Sequence, residues 1–181
     1  MKLKIAVAAS LVLSTFPLVC GAQDARLDPL FQRLVNVDAA DAPALADKII
    51  QEWSKSGSPA MDLLLARARK AILADDFETA LIHLNALTDH APDFAEGWNM
   101  RAAAYYNVDK FGPALEALER ALHLEPRHFQ AMAGLMVMLE EAGQQSQALE
   151  VARMIQAIHP HYENLSESIQ RLDAATDGQA L

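Results

Sequence analysis

Three prolines, Pro92, Pro126 and Pro160, stand 34 residues apart, and four alanines, Ala46, Ala80, Ala114 and Ala148, keep the same interval. A fixed interval of this length marks an array of like supersecondary units, none of which buries its apolar face alone. It suits a helix–turn–helix unit. Two independent registers in one chain make coincidence a poor explanation, even in an alanine-rich sequence.

The residues around these markers fill a recognisable pattern. The unit ending at Pro126 carries Trp98, Arg101-Ala102, Tyr105, Phe111, Ala114, Leu118 and Ala121. The unit before it has Leu64, Ala68, Ala71, Phe77, Ala80, Leu84, Leu87 and Pro92, and the unit after it Met132, Met136, Leu139, Gln145, Ala148, Ala152, Ile155 and Pro160. A more decayed unit precedes them, with Leu30, Leu34, Val37, Ala46, Ile50 and Trp53, and with Ser58 in the proline slot. The pattern resembles the tetratricopeptide-repeat (TPR) family. The alanines stand where two paired helices approach closely, and the prolines follow the second helix, which they cannot continue.

The resemblance implies an all-α, right-handed α-solenoid of about four 34-residue repeats with a C-terminal capping helix. The divisions are 27–58 (degenerate), 61–94, 95–128 and 129–162, then a capping helix over 163–174 and a flexible tail over 175–181. Register and capping signals predict helix pairs at 28–37 and 43–55, 60–73 and 77–90, 94–107 and 111–124, and 128–141 and 145–158. Leu165, Ile169 and Leu172 give the last helix its apolar stripe.

Residues 1–22 read as a secretory signal peptide. Lys2 and Lys4 start it, Ile5 to Phe16 is apolar, and Cys20-Gly21-Ala22 resembles a cleavage site. The expected product is periplasmic or secreted. Acylation of Cys20 is the minor alternative, since Pro17-Leu18-Val19 fits a lipoprotein signal poorly. Cleavage after Ala22 removes the single cysteine, and with it any disulfide or thiol chemistry. It also takes the formal charge from −9 to −11, because Lys2 and Lys4 leave. So acidic a chain repels phosphate backbones, which argues against nucleic acid as a partner. No later segment is apolar enough to predict a membrane span.

In the TPR family the first helices of the repeats line a concave groove that takes a peptide or a helix of a partner. On that register the candidate contacts are Leu65, Arg69, Ile72, Asn99, Tyr106 and Asn107: apolar side chains for contact, and amides that can pair with an extended backbone. The subtype that clamps a C-terminal carboxylate with Lys, Asn and Arg is a poor match, because those slots hold Asp62, Ala66, Met100, Gln130 and Gly134. No nucleophile motif, phosphate loop or metal-ligand spacing is present, so neither catalysis nor a cofactor is expected. The favoured expectation is a non-catalytic, exported adaptor for an envelope protein. A self-assembling structural protein is the alternative, and an enzyme or metalloprotein the least favoured.

Overall fold

The 34-residue interval is written into the backbone turns. The computed structural model describes residues 21–179, so the predicted leader falls outside the described residues except at its last two positions. Among the described residues there are nine helices and no strand: α1 Gly21–Asn36, α2 Ala42–Trp53, α3 Pro59–Ile72, α4 Phe77–His90, α5 Ala95–Asn107, α6 Phe111–Leu124, α7 Phe129–Glu141, α8 Gln145–Ile158 and α9 Leu165–Gln179. Inside three hairpins the chain reverses through a left-handed residue at Asp75 (φ 54°), Asp109 (φ 57°) or Gly143 (φ 74°). Asp is among the few residues with a side chain that tolerate this region. Equivalent N–H groups close each turn, from Asp76 to the Ala71 carbonyl, Lys110 to Tyr105 and Gln144 to Leu139. The Asp76 carboxylate also caps α4 by accepting from the Thr79 N–H at 3.1 Å.

The pairs α3–α4, α5–α6 and α7–α8 stack in sequence, α4 on α5 and α6 on α7. The register alanines Ala80, Ala114 and Ala148 are fully buried between paired helices. Around them Leu84, Leu87, Leu118 and Ile155 each contribute about 1.5–3 kcal/mol by leaving water. The array is an all-α solenoid of helix–turn–helix repeats, closed at one end by α9, which lays Leu165 and Leu172 on α8. Arg171 of α9 makes two 2.9 Å bonds to Glu140. Of the tail expected over 175–181, residues 175–179 continue α9 to Gln179, and 180–181 lie outside the described residues. Ala174 and Ala175 are strong helix formers, and the Thr176 hydroxyl donates back to the Leu172 and Asp173 carbonyls.

The first hairpin departs from the expected stack. Helices α1 and α2 pair with each other, but they dock on the fourth repeat, at the other end of the array from α3. Two features explain this. The turn before α2 lacks the left-handed residue, since Asp41 has φ −97°. More decisively, α3 is not built to receive a preceding helix. Gly97 and Ala131 are buried where α5 and α7 meet their predecessors, and a Cβ on Gly97 would come 3.2 Å from Leu87. The equivalent position in α3 is Leu63, which is 50% exposed, and the slot of buried Ala104 is held by Lys70. A large side chain and a charge keep a neighbouring helix from close approach.

Candidate functional site

The concave side is built by α3, α5 and α7, but α2 occupies one margin of it. Trp53, at the end of α2, is 1% exposed. Its ring stacks on His128 at 4.1 Å and tilts against Phe129 at 4.8 Å. Its indole N–H points to Glu125 at 3.4 Å. Arg127 lies over the Phe31 ring at 4.4 Å and bonds Asp28 at 2.6 Å, so both helices of the hairpin are held by the turn between α6 and α7.

Beneath Trp53 runs a buried polar seam. Glu96, 1% exposed, accepts from Arg69, from Asn99 at 3.0 Å and from His128 Nε2 at 3.0 Å. His128 Nδ1 accepts the Ala131 N–H at 3.3 Å, which caps α7 and leaves the ring proton on Nε2. Burial alone pushes the Glu96 carboxyl up, but the hydrogen bond from His128, then the charge and hydrogen bond of Arg69, outweigh it and hold the carboxyl below its usual range. Arg69 also donates to Ser54, immediately after α2, at 2.9 Å. The seam therefore joins α3, α5, α7 and the hairpin.

This arrangement sorts the six predicted contacts. Leu65 is 2% exposed in the core of α3–α4 and has no surface to offer, because its face of α3 turns toward α4. Arg69 is tied into the seam. Ile72 packs at the edge of the same core as Leu65. Asn99, Tyr106 and Asn107 come together in a concave cavity of about 350 Å³ between α5 and α7, shared with Ala103, Gln130, Gly134, Val137 and Tyr162. The two amides were expected to reach for a ligand backbone. In this structure each amide nitrogen already donates once within the chain, Asn99 to Glu96 and Asn107 to the Ala103 carbonyl at 2.8 Å. The Tyr106 hydroxyl donates to Glu141 at 2.5 Å, and its ring meets Phe111 edge-on at 5.7 Å.

Sequence reasoning missed Tyr162, which enters the cavity from the turn before α9. A signal existed: Phe94, His128 and Tyr162 recur at 34-residue spacing, two residues after each turn proline. Among the described residues, no lysine or arginine lines the cavity. Among the described residues no group of three or more His, Cys, Asp or Glu converges as a metal site, and no helix is long and apolar enough to cross a membrane.

No protein-family model matches the chain. A TPR repeat-containing protein of Rhizobium etli is 32% identical over 148 residues, covering 81% of this chain and 72% of that protein. A probable UDP-N-acetylglucosamine–peptide N-acetylglucosaminyltransferase of Arabidopsis thaliana is 23% identical over 124 residues, which is 12% of its length. Among solved structures, the Sgt2 TPR domain of Aspergillus fumigatus aligns with a TM-score of 0.62 at 17% identity, covering 68% of this chain and 83% of that one. The first TPR of Spaghetti, bound to an HSP90 peptide, aligns at 0.61 and 15% identity, covering 65% and 95%. MamA aligns at 0.60 and 18% identity over 86% of this chain and 82% of its own. With its repeats stacked as helical hairpins and a relative of this identity and coverage, the chain belongs to the tetratricopeptide-repeat family.

Proposed function

We propose that the protein is a non-catalytic scaffold that holds a segment of a partner protein in the cavity between α5 and α7. The carrying observation is that cavity itself: concave, apolar along Ala103 and Val137, and edged by Tyr106 and Gln130. Peptide-bound TPR neighbours support the same use of a TPR array. The absence of lysine and arginine from the lining favours an internal segment over a C-terminal carboxylate. The leader-like residues 1–22 favour an exported adaptor and a partner in the cell envelope.

The test is capture of partners from envelope extract, followed by affinity measurement with the wild type and Tyr106→Ala. A central aromatic anchor costs about 2 kcal/mol or more of binding when truncated. The variant is expected to lose that much affinity while keeping its thermal stability, since Tyr106 is only partly buried. Wild-type affinity at unchanged stability would overturn the assignment. Self-association is the second reading, favoured by the uncovered end of the array at α3, where Leu63 is 50% and Leu73 88% exposed. Sedimentation showing a concentration-independent monomer would dismiss it.

A further inference from the structure

On the opposite side of Tyr106 from the concave cavity, a second crevice of about 470 Å³ opens between α6 and α7. Phe111, Leu115, Leu135, Leu139 and Ala142 line it, and Glu141 stands at its rim. Phe111 is 47% exposed, and a Cβ placed on neighbouring Gly112 would meet nothing within 4 Å. Met138 lines both this crevice and the concave cavity, and Tyr106 of the cavity is hydrogen-bonded to Glu141 of the crevice.

The preceding repeat reveals what this space lacks. The position of Leu139 is held there by Tyr105, which is half-buried against the core containing Leu81. The position of Leu135 is held by Arg101, whose guanidinium lies 5.3 Å over the Tyr105 ring and donates to its hydroxyl at 3.3 Å. One junction between repeats is thus filled by an aromatic ring under a cation from the chain itself. At the next junction both residues are leucine, and the space stays open. The rim charge there is negative: Glu141 and Asp109 both act on the Tyr106 hydroxyl.

We propose that the crevice is an anchor site for an aromatic side chain flanked by Lys or Arg on the partner segment, the ring entering against Leu135 and Leu139 and the cation pairing with Glu141. This rests on the reading of the protein as a peptide-binding scaffold and extends it around the edge of α7. The partner's ring and charge would complete the junction as Tyr105 and Arg101 complete the one before it. An apolar wall with one carboxylate at its rim selects a bulky ring by contact and its neighbour by charge.

The test uses three small probes on the 15N-labelled protein: tryptophanamide, a cation; N-acetyltryptophanamide, neutral; and indole-3-acetate, an anion. Saturable shifts are expected at the amides of Gly112, Leu139 and Ala142. The cation should bind about two- to fivefold more tightly than the neutral probe, the range of an exposed ion pair, and the anion least. Glu141→Gln should abolish that ranking while indole binding persists. Leu139→Tyr copies the residue of the preceding repeat, so the fold should hold while binding falls about tenfold or more, equivalent to about 1.4 kcal/mol. Absence of saturable crevice shifts, absence of charge ranking, or indifference to Leu139→Tyr overturns the proposal. Shifts at Asn99, Ala103 and Gly134 alone would leave the concave cavity as the site and dismiss the crevice. Crevice shifts alone would support the anchor site and count against the concave cavity.

Discussion

Trp53→Ala tests the least repeat-like feature of the molecule, the docking of α1–α2 on the fourth repeat. Truncating a fully buried tryptophan costs about 3–5 kcal/mol in lost transfer energy and cavity. Its ring contacts to His128 at 4.1 Å, Phe129 at 4.8 Å and Phe31 at 5.9 Å place it in the upper half of that range, since such pairs add about 0.5–1.5 kcal/mol beyond area. The indole–Glu125 bond is long at 3.4 Å and adds about 0.5 kcal/mol. A solenoid's stability is a sum over units and interfaces, so the loss falls on the hairpin and is capped by its docking energy. The expected result in a urea titration is an early transition in helix content, while Trp98, the other of the two tryptophans, reports an unchanged transition of the central repeats. A double-mutant cycle locates the contact. Trp53→Ala and His128→Ala should couple by about 0.5 kcal/mol or more, as residues in contact do. Additivity with His128→Ala, together with coupling to Leu63→Ala, would mean that the hairpin stacks on α3 and that the reasoning is wrong.

Gly97→Leu should cost about 1–3 kcal/mol, because even a Cβ there meets Leu87 at 3.2 Å, whereas Leu63→Ala in the equivalent slot of α3 should stay within about 0.5 kcal/mol. Equal losses in chemical denaturation would show that the α3 face is packed after all. Acid should act in two stages, read as melting temperature against pH. Burial, then the nearby His161, pushes the His159 imidazole below its usual 6.5, so the unfolded chain binds the proton first and stability falls as pH drops below 6.5. The depressed Glu96 carboxyl contributes stability that is intact above its ordinary value of 4.5 and lost as pH falls through the folded value. His159→Phe should flatten the upper stage and Glu96→Gln the lower. Mass spectrometry of the exported product should find a chain beginning at Gln23 without acyl groups, and a diacylated Cys20 would refute cleavage after Ala22.

The six helices of the three regular repeats were legible in the chain because every cue to them is local. The alanine and proline registers and the apolar spacing lie within a few residues of the backbone they shape. The candidate site was legible only in part. Asn99, Tyr106 and Asn107 do line one cavity, but Leu65 was misjudged because a one-position rotation on a helix decides between core and groove. Arg69 and Glu96 were spent in a seam with His128, which caps the start of α7 and lies 32 residues beyond Glu96. The position of α9 followed from its apolar stripe, although its end at Gln179 did not.

By itself, then, the sequence determined that this chain forms stacked helical hairpins, but it led to four of them in one stack; Leu63 and Lys70, standing where the later repeats carry Gly97, Ala131 and Ala104, mark α3 as the end of the stack only once the packing is seen. The seat of the first hairpin was decided only in the tertiary structure. Periodicity specifies which face of α1 and α2 is apolar, but not which of several apolar surfaces that face will meet. The choice rests on pairs far apart in the chain, Trp53 with Glu125 across 72 residues and Asp28 with Arg127 across 99, and on a ring-and-carboxylate pocket that exists only once α6 and α7 have packed.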